Sequence, residues 1–441
     1  MIAPTGAHLL NMTPSAWFPN KPDIIVSDQR PIPTMPPAIP RGVADYFGGP
    51  AQQRRQIEAT LRSLARAWAY NEIIPPVFEY AETLTTELSG TLAAELYRFF
   101  DRDGQVLALR PDLTVPTARI VGSKLYDQPL PQRYFYAGPV FRYEDPRAGR
   151  QREFWQAGVE LMGAAAAAAD AEVLALAATA LTALALDDFR FSLGHLGYFH
   201  GLVHHLQLES EATLHLQNAL ERKSQRDVET LVEQWRLIGP ERQTVLGLLT
   251  LSGQQGEGVL ARARKQALNR QMLDAVERLA AVESLLERYG VKAFFDIDLA
   301  DVRAMNYYTG ITFKAYTPGI GFSIVNGGRY DRLVGEFGPD MPAVGCAFYI
   351  DRLLLAQIRQ SGQPAEPEPD LLLFPCDCGE HIELARIARQ AGLSVAVALG
   401  DENPDRYSLR AYCECDGQVT LDDGRGTRTI PIAQWLEAVT T

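Results

Sequence analysis

The stretch GPVFRYEDPRAGRQREFWQAGVE, residues 138–160, carries the reading of the fold. Two β-rich runs flank a polar loop, so it reads as an antiparallel hairpin with a long connection. Side chains alternate across a strand. Arg142 and Glu144 therefore share one face of the first strand, and Gln156, Gly158 and Glu160 share one face of the second. If both faces line a cleft, it holds a fixed cation, two carboxylates and an amide. The loop adds Arg147, Arg150 and Arg152, and arginine suits phosphate because its planar fork donates two parallel hydrogen bonds. Taken alone, the pattern equally describes a solvated hairpin whose surface ion pairs contribute little.

Other segments offer partners for that hairpin. In LALRPDLTVPTARI, residues 107–120, strand alternation places Arg110, Asp112 and Thr114 on one face. A carboxylate beside a hydroxyl suits an ammonium group, although Pro111 and Asp112 are also common turn residues. FDIDLADVRAMNYYTGITFKAY, residues 295–316, reads as strand, turn, strand and supplies Arg303, Tyr307 and Tyr308. Adjacent tyrosines on a strand point to opposite faces, so one is expected in the core. NGGRYDRL, residues 326–333, reads as a tight glycine turn. It lacks the P-loop pattern.

The bulk numbers frame these segments. The chain has 441 residues, 46% hydrophobic and 22% charged, enough for one large domain and one or two smaller ones. A net charge of −12 argues against broad, backbone-driven nucleic-acid binding while leaving room for a local basic cleft. Five cysteines, an odd number, do not suggest a disulfide framework, and a reducing cytoplasm is the simpler expectation. The N-terminus lacks the basic start and apolar run of an export signal. Residues 162–186, MGAAAAAADAEVLALAATALTALAL, are apolar but mostly alanine and interrupted by Asp170 and Glu172. They read as a packed helix and not a membrane span.

Along the chain, residues 1–39 read as a Pro-rich arm and residues 40–360 as the core. Ile57, Leu61, Leu64 and Trp68 recur at helical spacing, with the helix ending near Tyr70–Asn71 and EIIPPVFEY following as a short strand. A polar helical insertion is expected at about 200–290, and a last core helix near Asp351. A linker at 361–370 precedes a small α/β domain over 371–441. That domain holds Cys376-Asp-Cys378 and Cys413-Glu-Cys415. Two such pairs offer a four-thiolate zinc site in principle, but the spacing is not the usual two-residue gap. Unligated cysteines are the default expectation, with no metal and no cofactor, and Cys346 is read as a core residue.

Together these residues resemble the class II aminoacyl-tRNA synthetase core, in its histidyl branch, over about residues 40–355. PRGVADYFG resembles the histidyl family's N-terminal segment. The helix followed by Pro76 resembles motif 1, the dimer element. FRYEDPRAGRQREFWQAGVE resembles motif 2, and AVGCAFYIDRLLL resembles motif 3 with Arg352 at its arginine. VRAMNYYTG resembles the histidyl signature that normally reads Arg-Gly-Leu-Asp-Tyr-Tyr. The resemblance implies an α+β fold: an antiparallel sheet flanked by helices, with a helical insertion and a small C-terminal α/β domain. It also implies a histidine site. Asp112 and Thr114 would lie near the amino group with Gln156 beside them. Glu160 and Tyr308 would hold the imidazole, Tyr307 would line the pocket, and Arg303 would face the carboxylate. Arg142, with Glu144 and Arg352, would mark the nucleotide site.

The family carries two functions, histidine–tRNA ligase and the regulatory subunit of ATP phosphoribosyltransferase. The second lacks tRNA charging and partners a short-form catalytic chain at the first step of histidine biosynthesis. Departures favour that branch. Asp112 stands where ligases have Glu, and Ala304 and Asn306 replace the signature Gly and Asp. Tyr349 replaces a glycine that lets the strand approach the nucleotide, and a tyrosine there is expected to fill the adenine space. Asp351 replaces a Glu, and the last domain is shorter than an anticodon-binding domain. The expectation is therefore a non-catalytic cytoplasmic subunit with a vestigial nucleotide site. It would dimerise through the motif 1-like helix and assemble with short-form catalytic chains into a hetero-octamer. Histidine would be its feedback signal, with no membrane and no tRNA. The alternatives are an active histidine–tRNA ligase and a stand-alone amino-acid-binding protein.

Overall fold

The computed structural model describes residues 38–85, 93–143, 151–253, 256–302, 307–366 and 368–440. The chain divides into Met1–Arg41 and Gly42–Thr441, and the architecture below belongs to the second unit. Apart from its last two residues, the arm expected over 1–39 lies outside the described residues.

Local chemistry sets the first elements. The helix signalled by Ile57 and Leu61 is α1, Gly48–Ala67, whose buried stripe includes Ile57, Leu61 and Ala65. Its exit passes through Ala69 at φ 63° into β1, Asn71–Glu72. Pro75 and Pro76 then stop the strand, because proline donates no ladder hydrogen bond. EIIPPVFEY is thus not one strand. Phe78–Tyr80 is β2 of a separate sheet with β3 (Arg98–Phe100) and β4 (Val106–Leu109), ordered β2-β4-β3. The strand expected through RPDLT ends at Leu109. Helix α2, Thr114–Lys124, begins instead, and the Val115 N–H donates to Asp112 Oδ1 at 3.1 Å. That bond satisfies one of the donors a helix start leaves open.

The chain continues as β5 (Gln132–Phe141), β6 (Glu153–Met162), α3 (Ala167–Ala183) and β7 (Arg190–His195). The expected insertion is α4 (Leu196–His205), α5 (Ser210–Glu221), α6 (Gln225–Gln234), α7 (Gly239–Gly247), β8 (Ser252–Gly253), α8 (Gly256–Gln266) and α9 (Arg270–Arg288). The core closes with β9 (Phe295–Asp298), β10 (Ile311–Tyr316), β11 (Val325–Arg329), β12 (Ala343–Tyr349) and α10 (Ile350–Ser361). The main sheet runs β1-β5-β6-β12-β11-β10-β7-β9-β8. It is antiparallel from β5 to β7, as expected, while β1 joins β5 and β9 joins β7 in parallel. NGGR is therefore a central strand and not a turn.

The apolar segment 162–186 folds as β6's last residue followed by α3, buried on nearly every side, as a helix apolar all round should be. Its Asp170 is fully buried and makes salt bridges at 2.6 Å to Arg329 of β11 and Arg278 of α9. Glu172 accepts from Arg133 at 2.7 Å and from the Tyr70 hydroxyl at 3.0 Å. Among the described residues, no helix is long and apolar enough to cross a membrane.

Residues 371–440 build a third sheet from β13 (Leu371–Phe374), α11 (Glu380–Gln390), β14 (Val395–Val397), β15 (Leu409–Cys413), β16 (Gln418–Asp422), β17 (Thr427–Pro431) and α12 (Ile432–Thr440). The order β14-β13-β15-β16-β17 is parallel across its first three strands and antiparallel beyond. Leu371, Leu373, Leu384, Val419, Leu421 and Trp435 belong to its own apolar core. The expectation that the cysteines form no disulfide is corrected for one pair. The sulfurs of Cys376, Cys378, Cys413 and Cys415 converge within 4.8 Å, and Cys378 is joined to Cys415. Parallel neighbours β13 and β15 bring their carboxyl ends together. Cys346 is buried in β12, as read.

Candidate functional site

Strands β6, β10, β11 and β12 form the floor of a cleft of about 670 Å³. Period-two alternation turns Gln156 and Glu160 of β6 into it, and both are buried. Across the ladder Glu160 faces Gly345 of β12, where any Cβ would overlap the Glu160 carboxylate. A Cβ on Gly328 of β11 would meet the Tyr308 ring at 2.8 Å. Glycine at these two positions keeps the floor low enough for both side chains. The start of α2 contributes Asp112 and Thr114, and the β9–β10 connection contributes Tyr307 and Tyr308. Arg142 and Arg352 line the same cleft.

Electrostatically the cleft is poised around buried carboxyls. Glu160 accepts from Thr114 Oγ1 at 2.8 Å, from the Tyr136 hydroxyl at 3.0 Å and from the Tyr330 hydroxyl. Burial pushes its pKa up to about 7, although those three donors favour the ionised form. Burial also raises Asp112, with the Arg142 guanidinium opposing the shift. Asp112 Oδ2 and the side-chain oxygen of Gln156 are buried acceptors with no hydrogen-bond donor among the described residues. Leaving such groups unpaired is costly, and a ligand carrying N–H donors would satisfy both. Arg142 Nε donates to the Pro111 carbonyl at 2.8 Å, which ties the hairpin to the start of α2.

Of the expected site residues, the fold brings Asp112, Thr114, Gln156, Glu160, Tyr307, Tyr308, Arg142 and Arg352 to one cleft. Arg303, Glu144, Arg147 and Arg150 lie outside the described residues, as do Ala304 and Asn306. Arg110 does not share a strand face with Asp112. Its guanidinium donates to the carbonyls of Pro75 at 2.7 Å and Pro139 at 2.8 Å, bracing the two-proline turn. As expected, one tyrosine sits in the core: Tyr307 belongs to a buried apolar cluster, and the half-buried Tyr308 packs against it. They lie beyond β9 and before β10, so strand alternation does not apply, and their rings meet edge to face at 4.8 Å. Tyr136 and Tyr330 escaped the sequence reading. Tyr136 was legible in QRYFYAG, where it alternates with Tyr134 and Gly138 opposite the β6 face. Tyr330 was hidden because its segment read as a turn.

Beside the carboxyls runs a chain of aromatic and cationic groups. The Arg142 guanidinium lies 5.2 Å from the Phe154 ring, Phe154 lies 5.8 Å from Tyr349, and Arg352 sits 4.0 Å over Tyr349. Tyr349 is buried, and its hydroxyl accepts from Asn326 Nδ2 at 3.1 Å. Asp351 is fully engaged. It accepts from the Tyr46 hydroxyl at 2.9 Å and the Trp155 N–H at 2.7 Å, and Arg54 lies 3.5 Å away. Asp351 thus ties Tyr46 and α1 to β6.

Comparison with known proteins adds the following. The histidyl-tRNA synthetase family model matches residues 42–353. The ATP phosphoribosyltransferase regulatory subunit of Desulforamulus reducens is 38% identical over 387 residues, covering 87% of this chain and 96% of that protein. Its counterpart in Symbiobacterium thermophilum is 39% identical over 385 residues, covering 86% and 96%. A crystal structure described as an ATP phosphoribosyltransferase regulatory subunit/histidyl-tRNA synthetase from Bacillus halodurans superposes with a TM-score of 0.78 at 30% identity, over 86% of this chain and 98% of that one. Histidyl-tRNA synthetase from Nostoc sp. PCC 7120 superposes with a TM-score of 0.76 at 20% identity, over 92% and 99%, a likeness of fold alone.

Proposed function

The chain belongs to the family of ATP phosphoribosyltransferase regulatory subunits, built on the histidyl-tRNA synthetase fold, and from that premise we propose that its cleft binds histidine as a feedback signal. The observation that carries this reading is the pair of buried, unpartnered acceptors, Asp112 Oδ2 and the Gln156 side-chain oxygen. An α-ammonium donates three hydrogen bonds and satisfies both. Glu160 and Tyr308 take the imidazole, whose own titration near pH 6.5 matches a carboxyl at about 7. Tyr307 lines the pocket, Thr114 orients Glu160, and Arg303 takes the histidine carboxylate.

The nucleotide half of the site is vestigial in this reading. Glu144 would have belonged to it, with Arg142 and Arg352. The contact of Tyr349 with Phe154 and Arg352 supports an adenine slot filled by protein. The chain regulates and does not catalyse. Its partner is a short-form catalytic subunit, in a hetero-octamer in the cytoplasm, without tRNA. A self-dimer forms through α1 and the segment after it. There the outer face of the three-stranded sheet presents Phe78, Tyr80 and Phe99, all exposed. Histidine regulates such an assembly only by binding its two states unequally.

The test is inhibition. Addition of this chain to a short-form phosphoribosyltransferase should raise its activity, and histidine should reverse the effect. A Gln156→Ala chain should activate but respond to histidine at least tenfold more weakly. The ligase alternative draws on Arg142 and Arg352, both present in the cleft. Histidine-dependent exchange of pyrophosphate into ATP by the purified chain would establish it instead.

A further inference from the structure

At one end of the C-terminal sheet, four cysteines meet. β13 and β15 pair in parallel from Leu371↔Leu409 to Phe374↔Tyr412, so their carboxyl ends lie side by side. Each runs into a Cys-acid-Cys segment, Cys376-Asp377-Cys378 after β13 and Cys413-Glu414-Cys415 at the end of β15. The four sulfurs lie within 4.8 Å of one another, Cys376 and Cys413 buried, Cys378 and Cys415 exposed. Tetrahedral zinc with Zn–S bonds of about 2.3 Å holds its sulfurs about 3.8 Å apart. Cys378 and Cys413 stand at 3.9 Å, and Cys376 and Cys378 at 3.2 Å.

A disulfide accounts for half of this arrangement. Cys378 and Cys415 are joined, while Cys376 and Cys413 remain thiols beside them. One cross-link between two strands needs one cysteine from each. Two from each, with all sulfurs converging, is the ligand number of a closed structural metal site. The surroundings suit thiolates. Helix α11 starts directly after Cys378 and Gly379, and a helix N-terminus favours negative charge. His381 Nδ1 accepts from the Cys376 N–H at 3.1 Å, fixing that turn. Glu380 Oε2, 3.5 Å from Cys413 Sγ, accepts the thiol hydrogen in the metal-free form.

We infer that Cys376, Cys378, Cys413 and Cys415 form a tetrathiolate site for one thiophilic divalent cation, zinc, that pins β13 to β15. The site forms from the reduced chain. A dithiol or phosphine reductant supplies two electrons, and with two protons the Cys378–Cys415 disulfide becomes two thiols. Zinc then replaces the four S–H hydrogens with four Zn–S bonds and releases four protons to solvent. The disulfide and the metal exclude each other. The site is independent of the histidine cleft.

The experiment uses the full chain, reduced, supplied with zinc and desalted, with metal content read by plasma mass spectrometry. One zinc per chain is expected, and none in Cys376→Ser/Cys413→Ser. If that buried pair of changes unfolds the domain, Cys378→Ser/Cys415→Ser at the exposed positions should show the same loss. Cobalt in place of zinc should give the intense visible bands of a tetrahedral tetrathiolate. A reduced wild-type chain that retains no zinc, or a double variant that retains as much as wild type, overturns the inference.

Discussion

Glu160 concentrates the chemistry of the cleft. Burial raises its pKa from 4.5 to about 7, so the folded protein binds this proton more tightly than the unfolded chain does. Stability from this group is therefore full below pH 4.5 and is lost as pH rises through about 7. At about 1.36 kcal/mol per pKa unit, the loss is about 3 kcal/mol. Ligand-free protein should melt at lower temperature at pH 8 than at pH 5.5 by this component, and Glu160→Gln should flatten the dependence. Equal pH profiles of melting for both proteins would contradict the electrostatic account. Glu160 and Gln156 were legible because period two needs only a correct strand, and β6 is one. Asp112 reached the site by another route: it sits in the turn before α2, where its side chain caps the helix and keeps one oxygen toward the cleft. Arg110 shared the mistaken strand face and proved a brace for Pro75 and Pro139.

Among elements, β12 and α3 carry the sharpest expectations. Tyr349 ends β12 and packs on Phe154 beneath Arg352. Tyr349→Ala removes a buried aromatic ring and should cost about 3 kcal/mol. It should also open the slot, so that ATP raises the melting temperature of the variant and not of wild type. An ATP response equal in both would remove the filled-slot reading. In α3, Asp170 joins three elements through Arg329 and Arg278. Asp170→Ala removes the buried partner of Arg329, leaving it only the exposed Asp331 at 3.0 Å, and should cost about 3 kcal/mol in urea unfolding. The composition of α3 marked it as packed helix, but the partners of Asp170 come from β11 and α9, far along the chain. β11 was misread because two adjacent glycines signal a turn locally. They stand in a central strand because Gly327 and Gly328 leave room for Phe313 and Tyr308.

At the scale of the molecule, two surfaces matter, the cleft and the apolar face of β2-β4-β3. Register partners Phe78 and Leu109, and Tyr80, Phe99 and Leu107, put five apolar side chains on one side of that sheet. Phe78→Glu should convert dimer to monomer in light scattering without abolishing the fold; an unchanged mass would move the dimer contact elsewhere. The class II plan, the helical insertion and the last core helix were readable because motif and periodicity agreed there. The C-terminal sheet was half-read, since β16 and β17 are short and mostly exposed outside Val419 and Leu421. The convergence of its cysteines depends on which strands lie side by side, which sequence spacing does not record. The central claim is that this fold has kept the amino-acid pocket as a sensor. Calorimetric titration of the purified chain with histidine tests it most directly. One histidine per chain should bind wild type, and Glu160→Ala should weaken binding at least a hundredfold; no heat from wild type, or equal affinity in both, would contradict it.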